Sequence, residues 1–252
     1  MKSCFSTRNA LLGMMMAVFV MSTATSAGKT EDTHFDYGHQ ADWSEIHGDR
    51  QSPVALDSHT AIPDLDDDDD DNIRIFGKAK DAVVVDNSHT IQVNVLPGNF
   101  ATIRERRFQL LQFHFHTPGE HTLNGKRYPL EGHFVYRAKD GRLAVIAVMF
   151  DEGAANPAFD AIMQRVVRGG QGAPLSEFDI SKLFPVNLSY YHYLGSLTTP
   201  PLSQNVEWDV LSQPITLSAA QIEEFHRYYT HNNRDLQPLN GREVLYYSES
   251  SK

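Results

Sequence analysis

The residues best suited to chemistry are three histidines on two neighbouring β-rich segments. His114 and His116 stand two residues apart in the run Gln-Phe-His-Phe-His, and His133 follows in Glu-Gly-His-Phe-Val. Side chains alternate along a strand, so His114 and His116 share one face, and a neighbouring strand can deliver His133 to it. Three neutral imidazoles leave one tetrahedral position open, as in a catalytic zinc site. The sequence therefore predicts one Zn²⁺ per chain.

Two polar residues stand where they could orient these ligands. Gln112 precedes His114 by two residues, and Glu131 precedes His133 by two residues, so each lies on the same face as the histidine that it precedes. A zinc-bound histidine usually donates its second N–H to a carboxylate, amide or carbonyl. Two metal-free core histidines are the alternative for the His-x-His pair alone, and the flanking residues favour the metal site.

Short strands must position these residues. Segments rich in β-forming residues predict strands at 82–85, 90–95, 108–116, 132–137 and 143–150. Asn124-Gly125 predicts a reversal between the two histidine strands, and hairpin-like turns favour antiparallel pairing. Helices are predicted over residues 157–167 and after Ser218, where Gln221 completes a capping box. The predicted class is therefore mainly β, in one domain that spans residues 28–252.

The N-terminus is typical of a secretory signal peptide over residues 1–27. It contains Lys2 and Arg8, then an apolar run, then small residues that end at Ala27. A membrane helix is the alternative, but the apolar run has about half of the ~20 residues that a bilayer requires. The only cysteine, Cys4, leaves with this segment. We expect a protein that is periplasmic or secreted, with no membrane association after cleavage.

Charge restricts the partners. The chain has 22 Lys+Arg and 32 Asp+Glu, and removal of Lys2 and Arg8 leaves 20 basic residues and a net charge of −12. Such a charge argues against nucleic acid as a partner.

Seven of the eight residues at 64–71 are aspartate, which predicts a solvated loop. Calcium binding is the alternative there, but the glycine and terminal glutamate of a helix-loop calcium site are absent.

Further motifs accompany the histidines, in the order of the chain. They are Gln-Ser-Pro-Val at 51–54, Asn-Ser-His at 87–89, Gly-Glu-His at 119–121, Gly-Ser-Leu-Thr-Thr-Pro-Pro at 195–201, Asn-Asn-Arg at 232–234 and Gln-Pro-Leu at 237–239. Together with the histidine segments they resemble the α-class carbonic anhydrases over residues 37–247. The resemblance implies a large, twisted, mostly antiparallel sheet with short peripheral helices and zinc in a conical cleft.

The resemblance also implies a reaction, the reversible hydration of carbon dioxide to bicarbonate and a proton by attack of zinc-bound hydroxide. His114, His116 and His133 would hold the zinc. Thr198 would accept a hydrogen bond from the hydroxide and donate one to Glu120. His121 would brace the site without touching the metal.

Substrate and proton paths follow from the same resemblance. The substrate site would comprise Thr199 and an apolar wall of Val135, Val145, Leu197, Val206 and Trp208. His89 would carry the proton to solvent, since an imidazole titrates near neutral pH. Tyr37, Asn87, Gln92 and Thr199 would hold the intervening waters.

Two alternatives remain open at this point. A relative that has lost its metal could keep the fold as a binding module, although such relatives typically lack a zinc histidine and all three are present here. A zinc hydrolase could cleave esters, which the resemblance ranks as a side activity. The sequence leaves a monomer and a homodimer equally open.

Overall fold

The computed structural model describes residues 35–43, 48–64, 72–77 and 79–249. The predicted signal peptide at 1–27 lies outside the described residues, as does the aspartate segment apart from Asp64. None of the helices within the described part of the chain is long and apolar enough to cross a lipid bilayer.

Strands dominate the described structure. They are β1 (Ala55–Leu56), β2 (Ile62–Pro63), β3 (Arg74–Phe76), β4 (Ala79–Asp86), β5 (Ile91–Val95), β6 (Phe100–Ile103), β7 (Arg106–His116), β8 (Thr122–Leu123), β9 (Lys126–Arg127), β10 (Leu130–Ala138), β11 (Leu143–Glu152), β12 (Gln171–Phe178), β13 (Tyr190–Ser196), β14 (Gln204–Leu211), β15 (Ile215–Leu217) and β16 (Leu245–Tyr247). The helices are α1 (Pro157–Met163) and α2 (Ala219–His226), with 3₁₀ turns at Tyr37–Asp42 and Ile180–Leu183.

One large sheet contains most of these strands, in the order β12-β4-β5-β7-β10-β11-β14-β13-β16-β2. The pairs around β7 and β10 are antiparallel, whereas β11 runs parallel to β14 and β15, and β16 runs parallel to β2. The prediction of a mainly β fold with a large, mostly antiparallel sheet is confirmed, and the parallel pairs make the sheet mixed. A separate small sheet has the order β1-β8-β9.

The large sheet is buried on both faces at its centre. Along β11, Ile146 and Val148 belong to a cluster that also contains the residues of the two helices, whereas Val145 and Ala147 belong to a second cluster with Trp208. Alternate residues of a strand point to opposite faces, so the sheet separates these two clusters. A central strand buried on both faces has a continuous apolar sequence, as β11 does.

The five predicted strand segments lie in strands of the large sheet, except that Thr90 precedes β5. The reversal predicted at Asn124-Gly125 is confirmed, and this turn closes the small β8–β9 hairpin, which lies in the connection between β7 and β10. Both turn residues have positive φ, of 50° and 77°, which suits a tight hairpin turn.

The predicted helix over residues 157–167 is too long by four residues. It ends at Met163, and Gln164 is its C-cap. Val167 then pairs with Gly170 in an isolated bridge, because β-branched residues and glycines favour extended and turn conformations over helix. The second helix begins as predicted, with a complete capping box between Ser218 and Gln221.

A network of ion pairs lies between the β6–β7 turn and β14. The Arg104 guanidinium donates to Asp209 Oδ1 and to Glu207 Oε2, each at 2.7 Å, and His192 Nδ1 lies 2.9 Å from the same Asp209 oxygen. Asp209 is fully buried. Burial acts to raise the pKa of Asp209, but Arg104 and His192 outweigh it and hold this pKa below its ordinary value. Arg104 is therefore the main compensation for a buried negative charge.

We predict that Arg104→Met lowers the free energy of unfolding by roughly 3 to 5 kcal/mol, because it leaves Asp209 buried and uncompensated. Urea denaturation followed by tryptophan fluorescence measures this change. Arg106→Met is the matched control, since Arg106 is 44% exposed and 3.8 Å from its carboxylate partners, and we expect a loss below about 1 kcal/mol. Equal losses in the two variants would contradict the account.

Candidate active site

Three histidine rings converge on one face of the sheet. His114 and His133 are direct cross-strand partners on β7 and β10, and His116 lies two residues further along β7. The ring centroids lie 4.9 Å apart for His114 and His116, 5.4 Å for His114 and His133, and 4.5 Å for His116 and His133. One nitrogen from each ring lies within 4.8 Å of the others, a spacing that a single metal ion can bridge.

Hydrogen bonds determine which nitrogen of each ring is available. His114 Nδ1 lies 2.8 Å from Gln112 Oε1, and His116 Nδ1 lies 2.6 Å from the backbone oxygen of Asn232. His133 Nε2 lies 2.8 Å from Glu131 Oε1. These oxygens can only accept, so each of these nitrogens carries the proton and the other nitrogen of each ring keeps a lone pair.

The free nitrogens are therefore Nε2 of His114, Nε2 of His116 and Nδ1 of His133. His116 Nε2 is buried and has no hydrogen-bond partner among the described residues. A buried polar atom without a partner is costly, and a bound metal ion would satisfy it. The donor set is thus suited to a metal such as zinc, which imidazole nitrogen binds well.

Burial keeps the three rings neutral. It lowers the pKa of His114 well below the ordinary value, lowers that of His116 to about 4, and lowers that of His133. The proximity of the other rings adds to the effect for His114 and His133. A neutral imidazole is the form that binds a metal, so no proton has to be displaced at neutral pH.

A second cluster of possible ligands, His121, Glu131 and His133, adjoins the first. Its atoms already bond to one another, because Glu131 Oε1 accepts from both His133 Nε2 and His121 Nδ1, the latter at 2.6 Å. Burial acts to raise the pKa of Glu131, but these two histidines hold it well below its ordinary value. We interpret this cluster as a support for the first one.

The support continues away from the three histidines. His121 Nε2 lies 2.7 Å from the Tyr193 hydroxyl, which lies 2.9 Å from Ser52 Oγ. Ser52 Oγ also accepts from the Ser196 N–H at 3.1 Å. A side chain at Gly195 would collide with this chain of contacts, since its Cβ would lie 2.0 Å from Ser52 Oγ. The buried network thus joins Glu131 to the Gly-Ser-Leu-Thr-Thr segment.

Glu120 and Thr198 lie together beside the histidines. The Glu120 carboxylate is fully buried, its Oε1 accepts from the Arg234 N–H at 2.6 Å, and its Oε2 lies 3.9 Å from His133 Nδ1. Burial raises the pKa of Glu120 to about 7, while His133, the Arg234 N–H and the Thr198 hydroxyl act in the opposite direction. The structure therefore brings Glu120, Thr198 and a ligand histidine into one buried group.

The predicted apolar wall lies on the same face as the histidines. Val135 is the cross-strand partner of Val145, and Val145 is the partner of Trp208. Val135, Val145 and Trp208 thus form a row across three strands. This row lies two residues along the strands from the row that contains His114 and His133. The cluster that contains Val145 and Trp208 also contains Val206, with Val135 and Leu197 packed against it. The Trp208 ring lies 4.8 Å from that of His133.

The His89 loop lies at the other side of the histidines and is held by side-chain amides. Asn87 Oδ1 accepts from the His89 and Thr90 N–H groups at 3.0 and 2.9 Å, and Asn87 Nδ2 donates to Gln92 Oε1 at 3.3 Å. Gln92 is the cross-strand partner of His114. Polar side chains therefore connect the loop with the strand that borders the ligand histidines.

Tyr37 and Thr199 complete the predicted set, and Phe35, which was not predicted, lies beside His89. Phe35 stacks on the His89 ring with a centroid distance of 3.9 Å, and Tyr37 packs edge-on against Phe35 at 5.3 Å. Burial and the nearby Glu120 raise the pKa of Tyr37 well above its ordinary value, so its hydroxyl stays protonated. Thr199 is half-buried and follows Thr198 directly.

Asn232 has a role that the sequence reasoning missed. Its backbone oxygen binds His116, its Oδ1 accepts from the Thr117 N–H at 2.7 Å, and its Nδ2 donates to the backbone oxygens of His89 and Phe115 at 3.0 Å. One residue thereby joins a ligand strand to the His89 loop. The available signal in the sequence was the Asn-Asn-Arg motif at 232–234. The structure shows that all three of these polar residues are buried.

Comparison with known proteins gives the family. The profile of the eukaryotic-type carbonic anhydrase family matches residues 36–248. A carbonic anhydrase of Pectobacterium carotovorum is 39% identical over 248 aligned residues, which cover 93% of this chain and 99% of that protein.

Solved structures agree with the sequence comparison. The α-carbonic anhydrase of Thermovibrio ammonificans, in complex with the inhibitor sulfanilamide, has a TM-score of 0.74 at 38% identity over 79% of this chain and 87% of that chain. Dioscorin complexed with ascorbate has a TM-score of 0.71 at 27% identity over 81% of this chain and 88% of that chain. With the profile and the bacterial relative both spanning most of its length, the chain belongs to the α-class, eukaryotic-type carbonic anhydrases.

Proposed function

We propose that this chain is a zinc enzyme that catalyses the reversible hydration of carbon dioxide to bicarbonate and a proton. The observation that carries the proposal is the convergence of three neutral imidazole nitrogens, each on a ring whose other nitrogen is already hydrogen-bonded. His114, His116 and His133 would hold one zinc ion. When bound, zinc with an open position lowers the pKa of a water to about 7, a magnitude taken from carbonic anhydrase itself, and so supplies a nucleophile at neutral pH.

Glu120 and Thr198 would orient that nucleophile. Glu120 would accept a hydrogen bond from the Thr198 hydroxyl, which would leave the Thr198 oxygen as an acceptor for a group at the open position. A single accepting oxygen restricts the rotation of that group and directs its lone pair to one side. The proximity of Thr198 to the Glu120 carboxylate supports this role.

The apolar wall would bind carbon dioxide and release bicarbonate. Val135, Val145 and Trp208 present hydrocarbon beside the ligand histidines. Carbon dioxide has no net charge, so its transfer from water to an apolar site carries little desolvation cost. The same surface offers no hydrogen-bond donors to an anion, which disfavours retention of the product.

His89 would return the proton to solvent. It is half-buried, and the amides of Asn87 and Gln92 connect its loop to the strand beside His114. Waters held by these amides, by Tyr37 and by Thr199 would complete the path. The stack of His89 on Phe35 holds the ring at the end of the loop.

We predict that the purified protein contains about one zinc per chain, because three imidazoles and one open position form a catalytic site. Atomic emission measures the metal, and stopped-flow measures hydration before and after a chelator and after zinc is restored. His116→Ala is expected to lose zinc, while the exposed His59 serves as the control in His59→Ala. A chain that binds no zinc and shows no hydration would support a binding module, whereas hydration that persists unchanged in the metal-free chain would contradict the zinc mechanism.

The Thr198→Ala variant is expected to lose roughly 100-fold in kcat/KM for hydration, because the nucleophile loses its oriented acceptor. Zinc content is expected to remain unchanged, since Thr198 is not among the proposed ligands. Thr60→Ala, at an exposed threonine, is the matched control. Loss of zinc together with activity would assign Thr198 to the metal site and contradict its orienting role.

The His89→Ala variant is expected to lose about tenfold or more in turnover in dilute buffer, since proton transfer then lacks its carrier. Added imidazole should restore turnover, and kcat/KM should change little because the hydration step is intact. His231→Ala, at an exposed histidine outside the proposed site, should match the unmodified protein. An undiminished turnover in dilute buffer would exclude His89 as the carrier.

A further inference from the structure

A second concavity lies further along β7 and β10. Its volume is about 750 Å³, and its lining includes Arg107, Gln109, Leu111, Arg137, Lys139 and Gly141. A volume of this size is within the range of small-molecule sites. The proposed mechanism of hydration uses none of these residues.

The concavity is on the same sheet face as the ligand histidines. Val135 is paired with Gln112 on that face, and after a bulge in β7 Arg137 is paired with Gln109. Arg137 follows Val135 by two residues, so it points to the same face about 7 Å further along the strand. The concavity therefore adjoins the apolar wall.

Three cations and no carboxylate line this surface. Arg107, Arg137 and Lys139 are exposed, and none of them forms an ion pair with another residue in the described part of the chain. The neighbouring Asp140 lies 3.8 Å from Arg106 and belongs to a different concavity. The lining is thus basic in a chain whose net charge is −10.

Arg107 lies on β7 and Arg137 on β10, and Lys139 directly follows the end of β10. Ala138 is the cross-strand partner of Phe108, so the antiparallel register places Lys139 opposite Arg107 at the end of this ladder. Like charges opposite each other on neighbouring strands are destabilising. The Arg107 guanidinium is also held in place, because it lies 3.5 Å above the centre of the Phe100 ring. A bound anion would offset the repulsion and meet a donor that is already ordered.

We infer that this basic pocket, lined by Arg107, Arg137 and Lys139, binds a small oxyanion with two negative charges, of the sulfate or phosphate class. Guanidinium groups present paired N–H donors that match the oxygens of such anions. Leu111 and Gly141 provide the remainder of the surface, which accommodates an anion with a small organic body. The inference is independent of the proposed catalytic function.

The test is a sulfate titration of the zinc-loaded protein, followed by two-dimensional ¹H–¹⁵N NMR at constant ionic strength. The expected result is saturable shift changes at the amides of Arg137, Lys139 and Gly141. In the triple variant Arg107→Gln, Arg137→Gln and Lys139→Gln, binding is expected to be at least about tenfold weaker, since the charge-assisted hydrogen bonds are lost.

A matched control removes three positive charges elsewhere. Arg50, Lys182 and Arg227 are exposed and do not line the pocket, so their change to Gln together should leave sulfate binding unchanged. Sulfate that binds at the zinc centre would shift the amides near that centre equally in the unmodified protein, the pocket variant and the control variant. Comparison of the three titrations therefore removes this contribution. If the triple variant does not fold, Arg137→Gln and Lys139→Gln are tested singly, each with a weaker binding expected.

Three outcomes would overturn the inference. These are shifts that rise linearly without saturation, equal weakening in the pocket and control variants, and saturable shifts confined to residues outside the pocket. Hydration activity is not a readout here, so a failure of the proposed catalysis and a failure of this anion site are distinguishable.

Discussion

Three hydrogen bonds to histidine rings are the constraint on which the site depends. Each acceptor, the Gln112 amide oxygen, the Asn232 backbone oxygen and the Glu131 carboxylate, places the proton on one ring nitrogen and leaves the other nitrogen free. Without them each ring could rotate or change tautomer, and the three lone pairs would not converge. Burial adds to this order by keeping the imidazoles neutral, so the donor set is ready before any metal binds.

The sheet places these histidines on one face together with the residues of the proposed substrate site. Cross-strand register places the row with His114 and His133 next to the row with Val135, Val145 and Trp208. The proposed metal-binding histidines and the apolar wall are therefore neighbours on one face of the sheet, separated by two residues of strand. Loops supply the remaining groups, with Thr198 and Glu120 on one side and His89 on another. Such a division between rigid strands and functional loops is common in enzymes.

Much of this arrangement could be predicted from sequence, because the strands alternate with period two. The two-residue spacings within 112–116 and 131–133 were sufficient to place Gln112 and Glu131 beside their histidines. The contact between Asn232 and His116 spans 116 residues, and no local pattern encodes it. The Asn124-Gly125 turn belongs to a separate small sheet because β8 also pairs with the distant β1, a contact that no local pattern encodes.

The most direct measurement is a crystal structure of the purified protein with anomalous scattering recorded at the zinc edge. We expect one peak, roughly 2.0 to 2.1 Å from Nε2 of His114, Nε2 of His116 and Nδ1 of His133, with one non-protein oxygen as the fourth ligand. A peak coordinated by Glu131 and His121, or full zinc-edge data with no peak between the three rings, would contradict it.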